Sequence, residues 1–400
     1  MLQQKRMIRS RAPSAQVRPA RRPRLRSIAR VVLAVLAALA CAGGLLAYFD
    51  PAIVPAAVDE ARALFGPRPV ALVESLVFQA QDAVRQARYQ AVGTTRHVQW
   101  AAPAPRQPDR QVGSVRPAAP LATESQIAGG AAASPQMTAV WSTFVSTADG
   151  RPALERALVS PDPTRPYVET ALVRIDLRVA RLHLVAGTQE PLSSARVARP
   201  GVIPIADRQP GRLLAAFNGG FKAANGDFGM AVNGVSLLPP IDGMATLAIY
   251  RDGRVALGTW GADMSATHDP VAFRQNCPLL LDGGAPTEAA STDAPSRWGK
   301  TVGNKVATWR SGLGLSADGR YLIYAAGDGL TVPALAQALA AAGADRGMQL
   351  DINSWWTRFV TFAPAAGGHV AAQKLLADMA GDARQFLAPD IRDFFYVTAR

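Results

Sequence analysis

The chain has 400 residues, a formal net charge of +13 and 49% hydrophobic residues, long enough for a targeting region plus one large or two small domains. Lys5, Arg6, Arg9, Arg11, Arg18, Arg21, Arg22, Arg24, Arg26 and Arg30 supply ten of the cations, and no acid precedes Asp50; removing them leaves +3. The basicity therefore belongs to a tail over residues 1–30, which argues against nucleic acid as a partner of the main domain.

Val31 to Phe49 (VVLAVLAALACAGGLLAYF) is uncharged and, as a helix, can span roughly 30 Å of hydrocarbon. Arginines before it and Asp50 after it predict a cytoplasmic N-terminus and an extracytoplasmic remainder at the cell membrane. A cleaved signal peptide and a lipoprotein signal ending at Cys41 are the alternatives. The length of the apolar run and of the tail favours an uncleaved, single-pass signal anchor over residues 31–49. Cys277 is then alone in the exported part, so neither an internal disulfide nor a cysteine-rich metal site is expected there.

Residues 50–100 read as a helical stalk. Val58, Ala61, Leu64 and Phe65, then Leu72, Leu76, Val77, Ala80 and Val84, recur at three- and four-residue spacing in two helices broken at GPRP. Residues 101–136 are rich in Pro, Ala, Gly and Ser, a composition that buries no core and forms a linker. The folded domain is expected over 137–400.

Within it, Leu172, Arg174 and Asp176 alternate with Val173, Ile175 and Leu177, and Leu182 and Leu184 repeat the pattern around His183, predicting a strand pair. Asp252-Gly253 and Asp318-Gly319 predict two further hairpins, because glycine accepts the positive φ of such turns. Thr331 as N-cap, Pro333 in the first turn and Gly343 beyond the end frame one helix, and a second is expected from His369 to Met379. Strands in runs with late helices argue for an α+β fold of mixed, mostly antiparallel sheets and few helices.

Polar residues cluster with glycine at the ends of apolar runs: FNGGF (Phe217 to Phe221), GDFGMAVNG (Gly226 to Gly234), LLLDGGAP (Leu279 to Pro286), TWRSGLGL (Thr308 to Leu315) and MQLDINSWW (Met348 to Trp356). Loops at strand ends are where sites are usually built. Asn-Gly-Gly permits a sharp turn and close ligand approach, and equally suits a glycine bulge. Walker, Gly-x-Ser-x-Gly and paired-histidine patterns are missing from the sequence, which argues against P-loop, serine-hydrolase and zinc-hydrolase chemistry. Carboxylate, amide and arginine remain: Asp227, Asp282, Asp351, Asn218, Asn353 and Arg310. Paired carboxylates suit glycosidic cleavage, and arginine suits phosphate.

In this order, from VRIDL through FNGGF, GMAVNG, CPLLLDGG, Arg310 with GLGLSADGRYLIYAAGDGLTVPALAQALAAAGA, to MQLD, the chain resembles the phosphodiester glycosidase family over roughly Glu169 to Thr398. One departure stands out. Many members follow Leu-Asp with Gly-Gly-x-Ser, whereas Leu350-Asp351 continues as Ile352-Asn353-Ser354-Trp355-Trp356.

The resemblance implies a membrane-anchored, extracytoplasmic hydrolase or transglycosylase acting on a sugar-1-phosphodiester, with cell-envelope glycans as the substrate class. On that reading Asp351 is the catalytic carboxylate, with Asp282 or Asp227 as its partner. Arg310 holds the phosphodiester, Asn218 and Asn353 bind sugar hydroxyls, and Gly219, Gly220 and Ser354 line the substrate. Trp355 and Trp356 either stack on a sugar face or fill the core. No cofactor is required, and Asp351, Asp282 and Asp227 offer oxygen ligands for a divalent cation without matching a defined loop. The alternatives are a non-catalytic glycan-binding protein on the same fold and an envelope scaffold acting through its stalk.

Overall fold

The computed structural model describes residues 83–84, 86–91, 98–101, 138–291, 297–299 and 307–400. The basic tail, the expected anchor at 31–49, most of the stalk and nearly all of the linker lie outside them. Residues 83–84 and 86–91 are helical, in keeping with the second predicted stalk helix. Among the described residues no helix is long and apolar enough to cross a membrane.

Three antiparallel sheets build the domain. An eight-stranded sheet runs β1 (Ser142–Ser146), β2 (Pro152–Val159), β3 (Thr170–Asp176), β14 (Tyr321–Leu330), β13 (Thr308–Leu315), β15 (Arg346–Ile352), β11 (Leu279–Asp282), β12 (Ala285–Pro286). A five-stranded sheet runs β7 (Val235–Leu238), β6 (Met230–Val232), β10 (Ala272–Gln275), β8 (Ala245–Ile249), β9 (Val255–Thr259). The other runs β17 (Val370–Lys374), β16 (Phe359–Pro364), β5 (Leu213–Asn218), β18 (Phe394–Ala399), β4 (Ala180–Val185). With one long helix, α1 (Val332–Ala341), the architecture is α+β.

Both Asp-Gly hairpins form. Ile249 faces Val255 across the first, and Leu315 faces Leu322 across the second. Thr331 caps α1 by accepting from the Ala334 N–H at 3.0 Å, and Gly343 takes φ +86° just past its end. The expected pairing of the strands around Leu172 and Leu182 does not occur. β3 pairs with β2 and β14, while β4 pairs with β18. The turn at 177–179 carries the chain from one sheet to the next, so the same alternation serves two layers. The helix expected from His369 to Met379 is also replaced. Val370–Lys374 is a strand on the edge of β16, where cross-strand pairing overrides the helix propensity of Ala, Gln and Lys.

One core is shared by all three sheets and includes Leu154, Val173, Ile175, Leu182, Phe217, Leu247, Leu313, Tyr324, Phe359 and Phe395. A second lies on the other face of the large sheet, where Leu335 and Leu339 of α1 meet Leu172, Leu280 and Ile323. Along β13 the period of two separates these cores. Trp309, Leu313 and Leu315 face the first, whereas Cβ atoms on Gly312 and Gly314 would lie 3.3 and 3.4 Å from Leu339 of α1. Those two glycines let the helix approach the strand.

Residues 98–101, at the expected boundary of stalk and linker, lie against the domain. The Ala101 N–H donates to the Leu375 carbonyl at 3.1 Å, the Ala377 N–H to the Gln99 carbonyl at 2.9 Å, and the Arg156 guanidinium sits 4.4 Å from the Trp100 ring centre.

His183 on β4 stacks on Tyr396 with ring centres 4.4 Å apart, and its Nε2 is 2.9 Å from the Thr398 hydroxyl. Burial pushes the imidazole pKa down to about 4 from 6.5. The unfolded chain therefore binds this proton first, so stability present above pH 6.5 is lost as pH falls toward 4. Urea midpoints followed between pH 7 and 4 should decline in the parent, and His183→Gln should flatten that decline.

Candidate functional site

The strand through Leu213–Asn218 is buried at every position and ends in Gly219-Gly220. Neither glycine has a positive φ; what excludes a side chain is space. A Cβ on Gly219 would sit 2.0 Å from Asp393 Oδ2, and one on Gly220 would sit 2.8 Å from the Arg274 guanidinium carbon. The gap left by the two glycines is filled by an ion pair of the protein itself, not kept open for a ligand.

That pair is almost wholly enclosed. Arg274 Nε donates to Asp393 Oδ2 at 2.9 Å, and its remaining N–H groups reach Asp393 Oδ1 and the carbonyls of Phe221, Phe228 and Gln275. Asp393 also accepts the Gly220 N–H through Oδ2 and the Gly219 N–H through its carbonyl. The next two residues continue the framework. Gln275 Oε1 accepts from Gly229 and Ile241 N–H, and Asn276 ties the Phe221 N–H to the Gln349 and Leu350 carbonyls. Buried polar groups partnered this fully specify one arrangement of the loops they join.

Asn218 belongs to the same framework. Its Nδ2 donates to the Gly219 carbonyl at 3.1 Å and the Ser311 hydroxyl at 2.9 Å, and its Oδ1 accepts from the Tyr324 hydroxyl and Arg358 N–H, both at 3.0 Å. Two donors and two acceptor sites are thereby used. Ser311 passes the chain on by donating to the Asp351 carbonyl at 2.7 Å. The expected sugar-binding amide is thus a brace that places Asp351.

Asp351 reaches the cleft through a register irregularity between β13 and β15 near Arg310. A bulge re-aims a side chain: Leu350 enters the first core, Ile352 the second, and Asp351 turns to Arg392. Arg392 Nη2 donates to Asp351 Oδ2 and to the Gly220 carbonyl, and the Ile352 N–H donates to Asp351 Oδ1. Burial raises the Asp351 pKa above the ordinary carboxyl value, against the opposing charge of Arg392.

A narrow cleft opens here, with a free volume of about 10 Å³, bordered by Asn218, Gly219, Asp351, Trp355, Trp356, Arg358, Gln385, Phe386, Asp390, Arg392 and Asp393. Arg358 and Arg392 are 3% and 6% exposed, and the Nε–H of each has no hydrogen-bond partner among the described residues. The Thr357 hydroxyl beside them is likewise buried and unpartnered. Arg392 lies 4.6 Å from the Trp356 ring centre and Lys222 Nζ lies 5.4 Å from it. Arg358 Nη2 donates to the Trp355 carbonyl at 2.9 Å. Both tryptophans are half-buried, so they roof the cleft and do not fill a core. Asn353, at φ +76°, accepts the Trp355 and Trp356 N–H groups through Oδ1 and shapes this turn; it and Ser354 are exposed beside the cleft.

Three expected residues lie elsewhere. Arg310 shares its strand face with Gly312 and points toward α1, where it donates to the Leu330 carbonyl and to Gln349 Oε1; the inward position next to it is Ser311. Asp282 is exposed and pairs with Arg346 at 2.7 Å. It stands beside the start of β15, roughly 15 Å from Asp351 at strand spacing. Asp227 is an exposed turn residue at φ +49°. The three aspartates therefore share no cation site, and among the described residues no group of three or more His, Cys, Asp or Glu could hold a metal. Cys277 is buried, and burial pushes its thiol up to about 12.

No family model matches the chain, and no curated protein matches it. Among solved structures it is similar to the catalytic domain of zebrafish N-acetylglucosamine-1-phosphodiester alpha-N-acetylglucosaminidase, auto-inhibited by its pro-peptide, at 17% identity and a TM-score of 0.40, covering 66% of this chain and 89% of that one. It is also similar to a Synechocystis protein at 13% identity and a TM-score of 0.35, covering 62% and 63% of the two chains. A Burkholderia pseudomallei protein is similar at 13% identity and a TM-score of 0.32, over 57% and 74%. Likenesses this distant carry nothing about chemistry.

Six residues of the cleft have no counterpart in the motif reading: Arg358, Gln385, Phe386, Asp390, Arg392 and Asp393. DIRDFF (Asp390 to Phe395) does place three charges directly before an apolar strand, the same polar-before-apolar signature that marked the other clusters. Arg358 lies before the apolar FVTFA run in the same way.

Proposed function

We propose that this domain cleaves a sugar-1-phosphodiester, with Asp351, Arg358 and Arg392 as its working residues. The observation that carries the reading is the pair of buried guanidinium groups with unused Nε–H donors in the cleft that holds Asp351. A buried charged donor without a partner is costly, and a phosphate oxygen would satisfy both. Arginine forks suit phosphate geometry.

In this reading the phosphodiester lies against Arg358 and Arg392, displacing Trp356 from Arg392, and the sugar stacks on Trp355 or Trp356. Asp351, whose carboxyl pKa burial raises, acts as the acid in this reading and gives a proton to the bridging phosphate oxygen as the bond to the anomeric carbon breaks. Water attacks that carbon and loses a proton to Asp390, the lining carboxylate that is not committed to Arg274. The products are a free sugar and a phosphomonoester. A sugar acceptor in place of water makes the reaction a transglycosylation. Residues 1–49 support placing this chemistry outside a membrane that the chain enters once, with cell-envelope glycans as substrates.

The free volume of about 10 Å³ holds one water and no sugar, so the 353–357 turn must open for substrate. The two half-buried tryptophans at the cleft support a second reading, a glycan-binding protein in which they bind a sugar face without turnover. Arg358→Gln separates the two. Losing a charged hydrogen bond of about 1.5–3 kcal/mol should raise KM for a sugar phosphodiester by roughly ten- to a hundred-fold. An unchanged KM rules out the phosphate role of Arg358, and glycan binding without sugar release supports the second reading.

A further inference from the structure

We infer that the pole of the domain opposite the cleft is a second binding site, for a small phosphate-bearing ligand. β18 connects the two places. Its six residues run from beside Asp393 to beside Arg400, a length of roughly 20 Å. At the far end three turns converge: the 177–179 turn between β3 and β4, the β8–β9 hairpin and the β13–β14 hairpin. They border an open surface pocket with a free volume of about 410 Å³, whose lining includes Arg178, Arg254, Arg320 and Arg400, within the size range of small-ligand sites.

These four arginines are held in place. Arg178 and Arg320 both grip Asp176, with Nη2 to Oδ2 distances of 2.8 and 3.0 Å. The Arg254 guanidinium lies 3.8 Å from the Tyr250 ring centre. Arg400 Nε donates to the Leu177 and Ala180 carbonyls at 2.9 and 3.1 Å, and its Nη2 to the Gly253 carbonyl at 3.3 Å. The neighbouring acids are already engaged. Asp176 lies between two guanidinium groups, and Asp318 accepts from the Ser316 hydroxyl at 2.6 Å and the Arg320 N–H at 3.0 Å. Of the residues lining the pocket four are arginines and one, Asp318, is an acid, so the walls are net positive.

Free surface arginines lose rotamer entropy when they bind; pre-positioned ones lose less. A phosphate group offers several acceptor oxygens around one centre, so forks from different turns can engage it together, whereas a carboxylate offers two in one plane. Nothing in this inference depends on turnover at the Asp351 cleft.

The test is calorimetric titration of the full chain with inorganic pyrophosphate at low salt, beside the double variant Arg178→Gln/Arg254→Gln. The parent should show a class of sites that the double variant weakens at least ten-fold. The cationic tail is common to both proteins and cancels in the comparison. Arg254→Glu, a single change at an exposed turn, should weaken the same class and guards against a folding effect in the double variant; circular dichroism verifies both folds. Superimposable isotherms for parent and variants, or no pyrophosphate binding by the parent, would overturn the inference.

Discussion

Asp351→Asn is expected to lower turnover of a sugar phosphodiester by roughly 10²–10⁴-fold, the usual contribution of a positioned acid, while leaving the protein folded. The amide matches the carboxyl in shape and can keep one of the two hydrogen bonds that Asp351 receives from Ile352 and Arg392, but it has no acidic proton to give. The pH profile adds a second readout. Burial raises the carboxyl pKa, so the proton is retained above the ordinary carboxyl range and activity should fall as pH rises through the raised value. The same shift works on stability. This group's contribution is complete below the ordinary carboxyl pKa and is lost as pH rises through the folded one. Steady-state rates across pH for parent and variant check both points, and an unchanged kcat in Asp351→Asn removes Asp351 from the chemistry.

Asp393→Ala is expected to cost about 3–5 kcal/mol of folding stability, the range for removing one partner of a buried ion pair. The side chains of Arg274 and Asp393 are 1% and 0% exposed, so water cannot replace the lost carboxylate. Arg274 Nε and the Gly220 N–H lose their acceptor together. Replacing both partners, as in Arg274→Met/Asp393→Leu, should cost less than the sum of the two single changes, because no charge is then left buried alone. Urea unfolding of the four proteins measures the cycle. A loss below about 1 kcal/mol in Asp393→Ala would mean that the pair does not hold the glycine turn.

Much of the fold was legible in local signals. The two Asp-Gly hairpins, the Thr331-capped helix and the alternation around Val173 each depend on residues close in sequence, and each appears where expected. What did not follow were pairings decided by distant partners. The strands around Val173 and Leu182 show the same alternation whether they pair with each other or with β14 and β18. His369 to Met379 has helix-forming residues, yet β16 recruits its first part as an edge strand.

The site divides the same way. Asp351, Asn218, Gly219 and Trp355 do meet in one cleft, with Gly220 beside it and Asn353 and Ser354 on the adjoining turn. Their motifs mark strand ends, and strand ends gather at one side of the domain. Function within the cleft was less legible. Asn218 and the glycines are committed to internal partners, and that commitment is visible only once Ser311, Tyr324, Arg274 and Asp393 are in place. Arg310 shows how one residue of strand parity matters: it faces α1, while Ser311 faces Asn218. Arg358 and Arg392 carry the charge expected of Arg310, from strands whose approach to β5 is a matter of tertiary packing.

The most direct test is product analysis after incubating the full chain with a sugar-1-phosphodiester. Free sugar and phosphomonoester should appear in equal amounts, and should fall together in Asp351→Asn and in Arg358→Gln. Absence of both products from the parent protein, or release that neither variant changes, would contradict a phosphodiester-cleaving site at Asp351.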